Sequence, residues 1–197
     1  SNASGKRVVN RVGVLALQGN YNQHKRMLDV LGIKNILVQY PRELENCDLL
    51  IIPGGESTAI SKQIERNNFR HPILNFAKTN SVFGTCAGMI LLSSSEKATN
   101  LKPLSIMDFK VDRNAFGRQV DSFSGNLCLE FDNTDSFKGL FIRAPKISKL
   151  GKGIKILATY KKQPVMITNG RHFATTFHPE IGDDYRIHKH IMGKINE

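Results

Sequence analysis

SVFGTCAGMILL, residues 81–92, passes from a short apolar strand into a helix through the turn Gly84-Thr85-Cys86-Ala87-Gly88. A strand (81–84) that runs directly into a helix (86–92) is the βα step of an open α/β sheet, and its neighbours repeat that rhythm. Upstream, VGVLAL at 12–17 is a nearly all-apolar run, as expected of a strand buried on both faces of a parallel sheet. A helix over 22–31 ended by Gly32, strands at 36–40 and 49–52, a break at Pro53-Gly54-Gly55 and a helix capped by Ser57 with Ile60 and Ile64 on one face follow. Downstream of Ile106 the pattern turns strand-like, with runs at 126–131, 140–142, 154–160 and 165–168. Asn169-Gly170 predicts a type I′ hairpin turn, with residues 171–177 as the returning strand. His188, Ile191, Met192 and Ile195 share one face of a closing helix. The expected architecture is α/β, a flavodoxin-like, mostly parallel central sheet with helices on both faces and an antiparallel extension in the second half.

The chain has 197 residues, 40% of them hydrophobic, with 28 Lys plus Arg against 17 Asp plus Glu, a formal charge of +11. That length and composition predict one packed domain over 11–197, preceded by a tag remnant and tail at 1–10 that opens on Ser1-Asn2-Ala3. Its longest apolar stretches, 49–53 and 89–92, are far short of the ~18 residues that span a bilayer, so no membrane role is expected. Cys47, Cys86 and Cys128 include no C-x-x-C pair. This argues against a disulfide framework or a structural metal site and for a reducing compartment, the cytoplasm.

The turn at 84–88 has the G-x-nucleophile-x-G form of a nucleophile elbow with Cys in place of Ser. Composition alone would give about 0.02 such matches in the chain, and the strand-to-helix context is the one the motif requires. The glycines let backbones approach closely around a sharp turn, and the helix N-terminus favours a thiolate at Cys86. Cys47 and Cys128 lack this context and read as inert thiols. A thiolate nucleophile needs a proton shuttle. His178 ends a predicted strand, and Glu180, two residues on, points to the same side of an extended chain and can orient the imidazole. His24, His71, His172, His188 and His190 have no acidic partner at that spacing and read as surface or structural residues. The backbone N–H groups of Ala87, just after the nucleophile, and of Gly55 in the 53–57 turn are candidate donors to an oxyanion. Both turns fall at the carboxyl edge of the sheet, where open α/β sheets bind ligands.

With these residues in place the chain resembles the class I glutamine amidotransferases, through GTCAGMI at 84–90, PGGEST at 53–58 and FHPE at 177–180. LALQG at 15–19, RNAFGRQVDSF at 113–123 and FIRAP at 141–145 narrow the resemblance to the glutaminase subunits of pyridoxal 5′-phosphate synthase, over nearly the whole chain. The resemblance implies the three-layer class I amidotransferase fold, with Cys86, His178 and Glu180 as the catalytic triad. L-Glutamine would be held by Gly55, Glu56, Ser57, Arg113, Ile142 and Arg143; Arg suits bidentate recognition of its carboxylate. The glutaminase step needs no cofactor. The implied partner is a (β/α)₈ synthase subunit that receives ammonia through a channel, and the glutaminase is expected to stay nearly silent until that partner docks.

Two alternatives stay in the same enzyme class: an amidotransferase of another pathway, or a stand-alone cysteine hydrolase. A nucleic-acid binder is suggested by Lys146, Lys149, Lys152, Lys155, Lys161 and Lys162, a stretch without one acidic residue. No Trp, little aromatic interleaving and no nucleic-acid motif accompany those lysines, so a solvated basic face is expected instead.

Overall fold

The computed structural model describes residues 11–95, 101–112 and 122–197, which leaves the expected tail at 1–10 outside the described residues. In chain order the elements are β1 (Val12–Leu15), α1 (Tyr21–Val30), β2 (Asn35–Val38), a 3-10 turn (Pro41–Asn46), β3 (Leu49–Ile52), α2 (Ser57–Arg66), α3 (Arg70–Ala77), β4 (Ser81–Thr85) and α4 (Ala87–Leu92). The second half adds β5 (Phe109–Asp112), β6 (Ser122–Leu129), β7 (Asp132–Ile142), β8 (Lys146–Leu150), β9 (Lys155–Tyr160), β10 (Gln163–Thr168), β11 (Phe173–Thr175) and α5 (Arg186–Ile195). Among the described residues one nine-stranded sheet runs β2-β1-β3-β4-β11-β10-β9-β6-β7, and β5 pairs with β8 in a separate ribbon. β2, β1, β3, β4 and β11 are parallel, and the remaining four strands continue the sheet antiparallel. The single-domain α/β fold with its antiparallel extension is therefore as expected.

The alternation of β3 shows why its run is apolar throughout. Leu50 and Ile52 enter one core with Ile60 and Ile64 of α2, Ile73 and Phe76 of α3 and Leu91 of α4. Leu49 and Ile51 enter the opposite core with Leu28 of α1 and Ile187 and Ile191 of α5. Both faces of the strand are buried, so each side chain contributes on the order of 1.5–3 kcal/mol of burial and polar alternation is absent. The chain thus forms three layers, α1 and α5 on one side and α2, α3 and α4 on the other.

The hairpin at Asn169-Gly170 stands where expected, β10 pairing antiparallel with β11 across it, but its turn is not type I′ and its returning strand is shorter, 173–175. Tyr160 pairs with Gln163, leaving Lys161-Lys162 as a two-residue loop with φ of 48° and 66°, the type I′ signature. At Asn169-Gly170 only Gly170 has positive φ, and the Asn169 side chain accepts the N–H groups of Arg171 and His172 at 3.1 and 2.8 Å. That Asx turn makes a four-residue connection from β10 to β11. The lysines at 146, 149, 152, 155, 161 and 162 are all exposed, as a solvated face requires. No helix among the described residues is long and apolar enough to cross a membrane.

Candidate active site

Four parallel strands end at one place. β1 leads to Gln18-Gly19-Asn20, β3 to Pro53-Gly54-Gly55, β4 to Thr85-Cys86 and β11 to Thr176-Phe177-His178. Cys86 caps α4 from a left-handed backbone conformation, φ 51° and ψ −105°, which costs a non-glycine residue on the order of 1–3 kcal/mol. The surrounding packing imposes it: a Cβ on Gly84 would sit 2.5 Å from the Gly88 carbonyl oxygen, and one on Gly88 would sit 2.0 Å from that of Ile52. Cys86 N–H donates to the Thr175 carbonyl at 2.8 Å, tying the elbow to β11. The thiol points at the Ile142 carbonyl, 3.6 Å away.

His178 and Glu180 meet, with Nδ1 2.5 Å from Oε1, but through a turn at Pro179-Glu180, where Ile181 N–H donates to the His178 carbonyl at 3.4 Å, and not through the extended chain expected. Both are buried. Burial alone would depress the basicity of His178; hydrogen bonds to Cys86 and Glu180 outweigh it and raise the imidazole's pKa well above its ordinary value. Burial pushes Glu180 the other way, and His24 and His178 overcome that to hold its carboxyl below the ordinary range. Asn20 Nδ2 also donates to Glu180 Oε1, at 3.3 Å.

The turn after β3 is held at three points. Gly54 N–H donates to Thr85 Oγ1 at 3.1 Å, the Gly54 carbonyl accepts Asn20 N–H at 2.8 Å, and Glu56 N–H donates to Gln18 Oε1 at 3.1 Å. The Gly55 N–H, across a trans peptide from that carbonyl, points away from Asn20. Gly54 is pressed against the catalytic candidates, since a Cβ there would lie 2.5 Å from His178 Cε1 and 3.3 Å from Cys86 Cβ.

The helix cap differs from expectation. Glu56, not Ser57, is the N-cap of α2, its carboxylate accepting the N–H groups of Thr58 and Ala59 at 3.1 and 2.7 Å. The longer side chain reaches two donors at once, while Ser57 is buried inside the first turn. A pocket of about 920 Å³ opens over Cys86 and His178, and Gly55, Glu56, Ser57, Ala87, Ile142 and Arg143 all line it. Arg113, the other expected glutamine contact, lies outside the described residues. Sequence spacing missed His24, whose Nε2 stands 3.6 Å from Glu180 Oε2. It also missed Asn20, Thr85 and His188, which connect to the same cluster.

This fold, with its strand ends converging on one pocket, is that of the glutamine amidotransferases. A solved structure described as a glutamine amidotransferase matches with a TM-score of 0.87 and 39% identity over 94% of this chain and 99% of that one. The structure of PurLQS from Thermotoga maritima shares the fold at a TM-score of 0.67 and 15% identity, over 95% of this chain and 96% of that one. The model of the SNO glutamine amidotransferase family matches residues 14–197, and the chain belongs to that family. Among its relatives, "Pyridoxal 5′-phosphate synthase subunit PdxT" of Pelotomaculum thermopropionicum is 42% identical, over 93% of this chain and 94% of the relative. The protein of the same name from Thermotoga maritima is 39% identical, over 94% and 99%.

Proposed function

We propose that this chain, a single amidotransferase domain over 11–197, is the glutaminase subunit of a pyridoxal 5′-phosphate synthase. It hydrolyses L-glutamine to glutamate and ammonia and supplies the ammonia to a (β/α)₈ synthase subunit. The observation that carries the reading is the 2.5 Å His178–Glu180 pair set beside a thiol on a strained elbow, over a pocket that Gly55, Glu56, Ser57, Ile142 and Arg143 line.

The chemistry follows from those groups. The Cys86 proton moves to His178, and the sulfur attacks the side-chain amide carbon of glutamine. Negative charge develops on the amide oxygen, where the N–H groups of Ala87 and Gly55 stabilise it. His178 returns its proton to the leaving nitrogen, the C–N bond breaks, and ammonia departs from a γ-glutamyl thioester. Water, deprotonated by His178, then attacks the thioester; the C–S bond breaks, Cys86 recovers its proton and glutamate leaves. Glu180 fixes the imidazole throughout. Gly55, Glu56, Ser57, Ile142, Arg143 and Arg113 hold the substrate, an arginine being suited to pair with its α-carboxylate. The Glu56 carboxylate already caps α2, so its share in binding falls to its backbone.

The test is glutamine-dependent pyridoxal 5′-phosphate formation by this chain mixed with the synthase subunit from the same genome. The expected result is a glutaminase that is nearly silent alone and whose kcat rises on mixing. Full glutaminase activity without the partner, unchanged on adding it, would favour a stand-alone hydrolase. Glutaminase activity without pyridoxal 5′-phosphate formation would favour an amidotransferase of another pathway.

A further inference from the structure

Behind Glu180 lies a buried polar cluster that the steps above do not use. Glu180 gives Oε1 to His178 and turns Oε2 toward His24 Nε2, 3.6 Å away. His24, fully enclosed on α1, also places Nε2 3.2 Å from Thr85 Oγ1 and Nδ1 2.9 Å from Nε2 of His188 on α5. Thr85 Oγ1 accepts the N–H of Gly54. One imidazole therefore adjoins both the carboxylate that orients the base and the hydroxyl that anchors the turn bearing Gly55.

Hydrogen-bond arithmetic decides where its proton sits. A neutral imidazole has one N–H and one lone pair. A lone pair on His24 Nε2 would face a buried carboxylate oxygen that has no hydrogen-bond partner among the described residues, so Nε2 carries the hydrogen, donates to Thr85 Oγ1 and turns its positive N–H edge toward Glu180 Oε2. Nδ1 is then an acceptor, and His188 must offer N–H from its own Nε2. Its remaining nitrogen, Nδ1, is the lone-pair atom, and among the described residues no side chain or backbone group bonds to it. Burial lowers both rings, His24 to about 4 and His188 to about 3. Of the charged groups facing His24, Glu180 opposes that shift and His178 adds to it, and both rings are neutral at pH 7.

We propose that His24 is a positioning residue of the glutaminase, held as the Nε2–H tautomer by His188, and that it aligns Glu180 and, through Thr85 and Gly54, the turn that carries Gly55. The inference rests on the glutaminase reading above. Its test uses the geometry of amide side chains: Gln at 24 puts an N–H₂ near the place of Nε2, whereas Asn reaches only the place of Nδ1. In the chain mixed with its partner, His24→Gln should keep kcat within about threefold of wild type, and His24→Asn should lower it about tenfold or more with KM unchanged, the order expected for one buried hydrogen bond lost. His188→Gln, which keeps the donor, should outperform His188→Leu in the same way. Nitrogen-15 histidine spectra of the wild-type chain should show both rings as neutral Nε2–H tautomers that do not titrate between about pH 5.5 and 8. An Nδ1–H or charged His24, or His24→Gln as impaired as His24→Asn, would overturn the proposal. A wild-type complex without glutaminase activity would overturn the glutaminase reading and the positioning role with it, and the tautomer spectrum tells that failure from the first.

Discussion

Gly54→Ala is the sharpest probe of how tightly the site is built. The new methyl carbon would stand 2.5 Å from His178 Cε1, 3.1 Å from its Nδ1 and 3.3 Å from Cys86 Cβ, where ordinary contact begins at 3.4 Å. The ring must retreat by about 1 Å, and it has nowhere to go without loss. Its backbone is tied to the Leu140 carbonyl at 2.8 Å and its Nδ1 to Glu180 at 2.5 Å. A misplacement of that size costs on the order of 10²-fold in rate, or about 2.7 kcal/mol of transition-state stabilisation. The assay is steady-state glutaminase activity of the partner-bound chain, with far-UV circular dichroism and thermal unfolding to show that the variant folds. We expect kcat to fall about 100-fold and KM to change little, because the methyl displaces the base and not the glutamine contacts. Gly193→Ala is the control: a Cβ there meets nothing within 4 Å on an exposed turn of α5, so activity should hold while stability rises by about 0.5–1 kcal/mol. A folded Gly54→Ala variant with kcat within threefold of wild type would refute the close approach as a determinant of catalysis.

An electrophilic glutamine analogue should label Cys86 and spare both other thiols, because Cys47 is buried and pushed up to about 11, chiefly by that burial, and exposed Cys128 lies outside the pocket over Cys86 and His178; mass spectrometry of the labelled peptides checks this, and labelling that persists in Cys86→Ala would count against the nucleophile. His178→Asn should reduce kcat nearly as much as Cys86→Ala, and Glu180→Gln less, since Glu180 only orients the base; equal rates in wild type and His178→Asn would remove His178 from the reaction. Stability should fall on acidification from pH 6.5 toward 4, because burial holds His24, His172 and His188 at about 4, 4 and 3 against 6.5 in the unfolded chain. Groups depressed in the folded state contribute stability that is present above the unfolded pKa and lost below it, so unfolding near pH 5 should take up ~3 protons per chain, read as the pH slope of the unfolding free energy; a flat profile between pH 7 and 5 would contradict the buried neutral histidines.

What could be read from the sequence is what one turn of chain carries by itself. The elbow, the His178–Glu180 pairing and the both-face burial of 49–52 are local patterns, and each is met in the structure. Turn chemistry was less legible, because Lys161-Lys162 takes the type I′ conformation without a residue that favours it; the pairing of β9 with β10 imposes the turn. β8 is hidden in the basic run, with Ile147 its one fully buried residue. α3 carries Pro72 in its first turn, where a missing N–H costs little but where a sequence reading sees a break.

The His24 cluster failed for a different reason: His24 and His188 are 164 residues apart, and nothing in their spacing joins them. Topology does. In the order β2-β1-β3, a right-handed crossover from β1 to β2 sends α1 to one face of the sheet, while the β3-to-β4 crossover sends its helices to the other. α1 starts six residues after β1 ends, so its first turn lies at the carboxyl edge beside the site. α5 follows β11 and the His178 loop onto that same face, and its first turn arrives opposite. A histidine in the first turn of either helix is thereby delivered behind the His178–Glu180 pair, so the strand order, had it been known, would have singled out His24 and His188 where spacing could not.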